Sequence, residues 1–574
     1  MHEDDLKTTE ELRESDQQSD ATAGRRMSIA ALVITVFLSV GKLMGYVKEM
    51  LIASLGASSS TDAFKVAYNS VIFTIYTKVE KTLRPTYLPQ FVKVRREDGE
   101  QPAWDLASAM TGFQFLVLGA LALICVVFAE PILLFVGKGL ANDPAALHRG
   151  VVVLRIMAPA LLLFSLSVMP ELTLHAYKRF SLPAIAEASF RFAVVVISFM
   201  LLYLVWPYRV DADPHRPDEA IYAFAFGVMA GGCLRLLVQI PGLWSHLRRF
   251  RLTANVFRNP NAWKVIALMP PVLIGVAFST IRTWADSRFG TDIGSGVYTC
   301  LDFGRKITDL FLQTLPLAVS FVVYPYLSEW ALRGEKDKMA DALVATTRAM
   351  AFVYVPVSVV LMVASLPIIR LVFQAGEFTA EHARLSAMGV YWYAPGMFFY
   401  SVEGSINHWF FAYQDTMTPN VVGALFAVLH VVIGYLGVYV FGATPGAKLS
   451  WVAAALTISK STKVIALYVL IRRRIGHIDV AKQVRFALQL AVCVGLMGLA
   501  LYLLEQQMAP VLEGWDGGLK IKAAANMGSS FVVGAIVFLS SAALLRVNEI
   551  SLVWDAARKV GRKINARLMR GRGE

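Results

Sequence analysis

Residues 27–55 read MSIAALVITVFLSVGKLMGYVKEMLIASL, an almost unbroken apolar run with three charged residues, Lys42, Lys48 and Glu49. A helix needs about 20 apolar residues to cross the hydrocarbon of a bilayer. An ionisable side chain at that depth is costly, so it normally faces the interior of a helix bundle or a water-filled cavity. The stretch therefore predicts a transmembrane helix with one charged face turned toward other helices.

The composition of the whole chain fits a membrane protein built from many such helices. Of its 574 residues, 56% are hydrophobic and 17% are charged, whereas soluble domains have about 25% charged residues. The mean hydropathy is +0.54. Long apolar runs satisfy their own backbone hydrogen bonds in lipid by forming helices. We therefore expect an all-α polytopic membrane protein.

The apolar segments predict about fourteen transmembrane helices, at residues 28–54, 62–92, 104–137, 150–176, 182–207, 219–244, 262–286, 295–326, 341–372, 382–412, 418–442, 448–471, 483–505 and 525–547. Basic residues concentrate in alternate connections and near both termini. By the positive-inside rule both termini are cytoplasmic, with a disordered tail at 1–26 and a basic tail at 549–574. The net charge of +13 then reflects topology and anionic lipid headgroups, so no nucleic-acid partner is expected.

The first two spans hold six cations and three anions, and the second span contributes Asp62, Lys65, Lys78, Glu80, Lys81 and Arg84. This excess favours an internal cavity that receives an anion. Mutual neutralisation inside the bundle, or snorkelling of the basic stripe to the headgroups, remains an alternative. Glu80 and Arg84 have the spacing of a helical ion pair, and Pro85 and Pro89 should kink or end the second helix.

Charges recur in spans seven and eight, where Arg282 precedes Asp286 by four residues and Arg305 follows. Arg282 and Arg305 are therefore candidates to face a ligand. Elsewhere we expect single charged residues, or intrusions, within apolar spans, and these are Glu171, Glu187, Arg191, Arg235 and Glu403. Of these, Glu187 and Arg191 have the spacing of a structural ion pair. From the tenth span onward the membrane should be nearly free of basic groups. The four cysteines lack metal-site spacing, and no metal is expected.

Several motifs resemble those of one family. Gly45–Gly56 followed by Thr61–Phe64 is similar to the GxxRDxxxAxxFG…TDAF opening of the MurJ/MviN family, lipid II flippases of the multidrug/oligosaccharidyl-lipid/polysaccharide exporter (MOP) superfamily. Three later stretches follow in the family's order. Tyr177–Pro183 resembles its NRFxxPA turn, Val372–Glu381 its LFxxGxFTAxD loop, and Tyr413–Pro419 its xxDTKTP loop.

The resemblance implies a V of two six-helix lobes, residues 27–250 and 251–475, and two extra C-terminal helices at 476–548 that form a groove for a polyprenyl tail. The implied activity is that of a flippase rather than an enzyme. It would move a polyprenyl-diphosphate-linked saccharide, lipid II first, to the outer leaflet of the bacterial cytoplasmic (inner) membrane by alternating access. The expected partners are membrane lipids, this substrate and cell-envelope synthesis enzymes, and the expected oligomeric state is a monomer.

The resemblance also carries over functional residues. The family's first-span arginines fall on Lys42 and Lys48, and its span-eight arginine falls on Arg305. The predicted headgroup-binding set is Lys42, Lys48, Glu49, Asp62, Lys81, Arg84, Arg282 and Arg305. No cofactor is expected. Coupling to Na⁺ or H⁺ through Glu49, Asp62 or Asp286, or to the membrane potential, would supply the driving force.

The sequence departs from the family pattern at some of these positions. Lysine at 42 and 48 keeps the charge of arginine but loses its bidentate fork, and Lys81, Arg84 and Pro85 also differ from the pattern. A flippase for another polyprenyl-linked saccharide and a transport-inactive scaffold therefore stay open. A drug antiporter is disfavoured because many drugs are cations. A glycosyltransferase is disfavoured because the outer loops are short.

Overall fold

The computed structural model describes residues 35–204, 216–253, 256–312, 315–515 and 518–551, together with residue 558. These residues are helical almost throughout and contain no β-strand, which confirms the predicted fold class. The tail predicted at 1–26 lies outside the described residues, as does most of the tail predicted at 549–574.

Nine helices among the described residues are long and apolar enough to cross a membrane. They correspond to predicted spans three to six, nine, and eleven to fourteen. Predicted spans one, two, seven, eight and ten also contain helices.

Close contacts divide the chain into two units. Unit one contains Met1–Leu55, Ala63–Phe135 and Leu140–Val276, and unit two contains Gly56–Asp62, Val136–Gly139 and Ala277–Glu574. The lobe boundaries predicted at 250 and 475, and the groove predicted at 476–548, stay predictions.

The helices that begin before residue 269 are α1 (35–54), α2 (Ser59–Lys65), α3 (Phe73–Glu97), α4 (Glu100–Val127), α5 (Ala129–Val136), α6 (Pro144–Ala176), α7 (Ser181–Leu204), α8 (Arg216–Glu219), α9 (Ile221–Gln239) and α10 (Pro260–Ala267). A π-helical segment, Val66–Ile72, joins α2 to α3. Helix α3 continues through Pro85 and Pro89, so these prolines do not end the helix, and the kink predicted as the other outcome stays a prediction. Neighbouring helices and local adjustments accommodate proline in membrane helices.

The remaining helices are α11 (Met269–Ile293), α12 (Val297–Leu312), α13 (Leu315–Arg333), α14 (Lys336–Val363), α15 (Ser365–Phe373), α16 (Ala380–Tyr393), α17 (Gly396–Ala412), α18 (Met417–Leu436), α19 (Pro445–Arg472), α20 (Val480–Glu513) and α21 (Leu519–Leu544). The four cysteines are free thiols.

Small residues set the closest helix contacts in both units. In unit one, a Cβ added at Gly231 of α9 would lie 2.9 Å from the carbonyl oxygen of Phe190 on α7. In unit two, a Cβ added at Gly304 of α12 would lie 2.7 Å from the carbonyl oxygen of Ser386 on α16. Membrane helices associate largely through such close backbone packing, because lipid supplies little hydrophobic drive between them.

Candidate functional site

Unit one contains a chain of ion pairs between four helices, α3, α6, α7 and α9. Arg84 lies 2.8 Å from Glu80 on its own helix and 2.7 Å from Glu171 on α6. Arg235 on α9 lies 3.1 Å from the same Glu171. It also lies 3.2 Å from Glu187 on α7. We call this chain of pairs the unit-one network.

Arg191 completes the unit-one network through a contact of 2.8 Å with Glu187. This contact confirms the pair predicted from their spacing. The network contains three guanidinium groups and three carboxylates, so it is electrically balanced. The expectation of isolated intrusions is therefore wrong for Glu171 and Arg235, and Arg235 is a second partner of Glu187 beyond the predicted pair. Anions from α6 and α7 also contribute to the charge balance near α3, which a count limited to the first two spans omits.

Lys48, Glu49 and Lys65 form a second buried cluster in unit one. The Glu49 carboxylate lies 2.9 Å from Lys48 Nζ and 3.3 Å from Lys65 Nζ. Lys48 Nζ also lies 4.6 Å from the centre of the Tyr68 ring, a cation–π contact. The two cations thus share the Glu49 carboxylate.

Lys42 and Lys81 differ from the other predicted cations of unit one. Both side chains are exposed, and neither has an ion pair or hydrogen bond with any residue in the described part of the chain. An exposed ammonium group without a carboxylate partner can accept an anionic ligand without first breaking an ion pair.

Asp62 lies at the start of helix α12 in unit two. Its carboxylate accepts hydrogen bonds of 2.8 Å from the Gly296 N–H and 2.7 Å from the Thr299 N–H. The side chain is 1% exposed. A carboxylate that binds the free N–H groups of a helix N-terminus acts as a cap. Its predicted roles in headgroup binding and ion coupling stay predictions.

Asp286 on α11 contacts two cationic or ionisable groups from other helices. Its Oδ1 lies 2.7 Å from Nε2 of His430 on α18, and its Oδ2 lies 3.8 Å from Arg305 on α12. Arg305 has a second carboxylate, Asp309, at 4.0 Å. Both distances from Arg305 are longer than a hydrogen bond, so this guanidinium is attracted to carboxylates without being bound by them.

Arg282 lies one helical turn before Asp286 on α11. Its Nε is buried and has no hydrogen-bond partner among the described residues. Leaving a buried donor unsatisfied costs about 1–3 kcal/mol, and more for a charged group. An anionic ligand at this position would remove that cost.

Glu403 on α17 forms ion pairs with Lys460 and Lys463 on α19, at 2.6 Å in the case of Lys463. Lys460 also lies 4.5 Å from the centre of the Tyr400 ring. The expectation that spans beyond the tenth lack basic groups is therefore wrong, and Glu403 is not a single intrusion. Two lysines three residues apart in a span were the available sequence signal.

Some predicted site residues thus come together within each unit and others do not. Lys48 contacts Glu49, and Arg305 lies close to Asp286. Arg84 belongs to the unit-one network. Lys42 and Lys81 have no partner in the described chain, and Asp62 caps a helix. His430, Lys460 and Lys463 are further candidates that the sequence did not single out.

These clusters define a class of protein. Ionisable groups at bilayer depth are rare, face the bundle interior and mark the pathways of substrates or ions. An all-helical membrane protein that buries such groups in each of two units is typical of a transporter.

Comparison with known proteins agrees with this class. The solved structure of the lipid II flippase MurJ in an inward closed conformation has a TM-score of 0.71 with this chain at 18% identity, and covers 90% of this chain and 100% of its own. The lipid II flippase MurJ of Burkholderia cenocepacia is 24% identical over 416 residues, which are 72% of this chain and 78% of the relative.

The probable lipid II flippase MurJ of Borreliella burgdorferi is 23% identical over 533 residues, covering 91% of this chain and 97% of the relative. The family model described as lipid II flippase MurJ matches residues 51–513. The chain belongs to the MurJ lipid II flippase family.

Proposed function

We propose that this chain is a lipid II flippase, which moves the polyprenyl-diphosphate-linked precursor of peptidoglycan from the inner to the outer leaflet of the cytoplasmic membrane. Membership of the MurJ family supports this assignment. The positive-inside pattern supports an orientation with both termini in the cytoplasm. The monomeric state and the association with cell-envelope enzymes stay predictions.

The observation that carries the binding step is the state of Arg282 and Arg305 in unit two. The Arg282 Nε is buried without a hydrogen-bond partner in the described chain. Arg305 lies 3.8 Å and 4.0 Å from its two carboxylates. Guanidinium groups form strong, charge-assisted hydrogen bonds with phosphate. A diphosphate would therefore satisfy donors that the protein itself leaves without full partners.

Charged side chains from several helices of unit two surround these arginines. The group consists of Arg282, Arg305, Lys460, Lys463, Asp286, Asp302, Asp309 and Glu403. A small cavity of about 20 Å³ lies against Arg305, Tyr400 and Lys460. This volume holds about one water molecule, so it suits a single oxygen of a larger headgroup.

In unit one, Lys42 and Lys81 are the cations best suited to contact the headgroup. They have no carboxylate partner in the described chain, whereas Arg84 already contacts two. Because lysine is a point charge rather than a fork, these contacts would tolerate variation in the headgroup. This feature keeps a second candidate function open, the flipping of another polyprenyl-diphosphate saccharide.

Complementation tests the proposal. The chain is expressed in a bacterium depleted of its own lipid II flippase, and growth and outer-leaflet lipid II are measured. The wild-type chain should restore both. Arg305→Ala should restore neither, at equal amounts of protein in the membrane.

The matched control is Arg333→Ala, which removes an exposed arginine paired with Glu329 at the end of α13. This variant should restore growth like the wild-type chain. If the wild-type chain is well expressed but restores no lipid II flipping, the lipid II assignment is wrong. If Arg305→Ala restores growth fully, the diphosphate binds elsewhere.

A further inference from the structure

His430 is a fully buried histidine in the middle of α18, with 0% of its surface exposed. Its Nε2 lies 2.7 Å from Oδ1 of Asp286, so the two groups share one proton in this hydrogen bond. The other ring nitrogen, Nδ1, has no hydrogen-bond partner among the described residues. In the neutral imidazole this nitrogen carries a lone pair, which is free to take up a second proton.

Asp286 is also the nearest carboxylate to Arg305. Its Oδ2 lies 3.8 Å from the Arg305 guanidinium and accepts no hydrogen bond from the described residues. Arg305 is therefore held by charge attraction alone. The strength of that attraction depends on whether His430 is neutral or positive, because the two cations compete for one carboxylate.

We propose that the Asp286–His430 pair is a proton-binding site whose occupancy decides whether Asp286 or a substrate diphosphate holds Arg305. With neutral imidazole, the charge of Asp286 attracts Arg305. A proton taken from water by Nδ1 converts the ring to imidazolium, which neutralises Asp286 and frees Arg305 for the diphosphate. No bond between heavy atoms forms or breaks. The proposal rests on the proposed function, since it requires Arg305 to bind diphosphate.

Histidine is the ordinary side chain that exchanges its proton near neutral pH, which is why the proposal assigns the exchanging proton to the ring of His430. The other ionisable groups around the pair come from α11, α12, α16, α17 and α19, and are Arg282, Asp302, Arg305, Asp309, Tyr393, Tyr400, Glu403, Lys460 and Lys463. These groups set the local electrostatic potential. In the proposal, one added proton within that potential changes which group holds Arg305.

The first test measures the affinity of the full-length protein for undecaprenyl diphosphate in lipid nanodiscs between about pH 5.5 and about 8.5, the range in which histidine titrates. If one proton binds with the ligand, the wild-type affinity should rise about tenfold for each unit that the pH falls. His430→Gln should bind weakly at every pH. Asp286→Asn should bind more tightly than the wild type at high pH and with little dependence on pH, because only Asp309 then competes with the ligand for Arg305.

The matched control is His408→Gln, which changes a half-buried histidine of α17 whose ring packs 4.9 Å from Tyr324. This variant should keep the wild-type dependence on pH. A His430→Gln protein that also keeps the wild-type dependence overturns the proposal.

The second test needs no ligand and separates the proton site from the proposed substrate. Nitrogen NMR of histidine-labelled protein should show a signal, absent in His430→Gln, that changes with pH. A His430 signal that is constant with pH overturns the proton site. A normal titration without any binding of undecaprenyl diphosphate instead overturns the proposed substrate.

Discussion

Asp62 shows how both oxygens of one carboxylate can bind backbone N–H groups. Its two oxygens accept the N–H groups of Gly296 and Thr299 at the start of α12. Gly296 has φ +76°, a left-handed conformation that glycine adopts without a steric cost. The aspartate and the glycine together determine where α12 begins.

Removal of the Asp62 carboxylate should destabilise the folded protein. Asp62→Ala leaves two buried N–H groups without an acceptor, and a loss of about 1–2 kcal/mol is expected from helix caps. Thermal unfolding of the purified protein measures it. Asp62→Asn keeps one acceptor oxygen and should lose less. A normal melting temperature for Asp62→Ala would contradict the capping role.

At the scale of the elements, the packing of α9 on α7 depends on the absence of side chains at its glycines. Gly231→Ala should lower the stability of unit one, because the new methyl group would lie 2.9 Å from the Phe190 carbonyl oxygen. Overpacking of this kind costs about 1–3 kcal/mol. Gly119→Ala on α4 is the control, since no atom lies within 4 Å of its added Cβ. Equal melting temperatures for the two variants would contradict this account.

The connection between α17 and α18 has a pH-sensitive contact. Burial alone would raise the pKa of Asp415, but hydrogen bonds from Thr418 and Arg474 outweigh it and hold the pKa below its usual value. A lowered pKa stabilises the fold above the unfolded value of about 3.9. This stabilisation is lost as the pH falls through the lower, folded value.

Asp415→Asn should therefore remove part of the acid sensitivity of this connection. Between about pH 5 and about pH 3 the wild-type protein should lose stability more steeply than the variant, because only the wild type must protonate a bound carboxylate. Thermal melting at several pH values measures the difference. Parallel curves would show that the contact contributes nothing to acid denaturation.

At the scale of the whole molecule, the positive and negative charges of the unit-one network must balance for the helices that carry them to stay folded in the membrane. Arg235→Met should be strongly destabilising, by about 3–5 kcal/mol, because it leaves Glu171 and Glu187 without their shared buried partner. The amount of folded protein in membranes and its melting temperature measure the effect. Arg191→Met, at a more exposed end of the network, should cost clearly less. Similar losses for both would contradict a shared central role for Arg235.

The extent to which these features follow from sequence depends on whether the partners share a helix. The pairs Glu80–Arg84 and Glu187–Arg191 are predictable because residues four apart lie on one helical face. The contacts of Arg235 with Glu171, of His430 with Asp286 and of Lys460 with Glu403 join different helices. Hydropathy identifies those helices as spans, but it does not say which faces meet. The motifs at Thr379 and Asp415 are predictable as loops. The structure shows Thr379 as the N-cap of α16, and the Asp415 carboxylate accepts the Thr418 N–H in the first turn of α18.

The unit-one network also has a consequence for biosynthesis. Arg84 is made 87 residues before Glu171, and Glu171 is made 64 residues before Arg235. Arg84 already has Glu80 on its own helix, but until Arg235 is made the network has three carboxylates and only two guanidinium groups, and unbalanced charges enter lipid only at a cost. The early helices must wait beside the translocation channel or in contact with water until α9 is complete. Release of the first half of this protein into the bilayer is thus tied to the synthesis of its sixth predicted span.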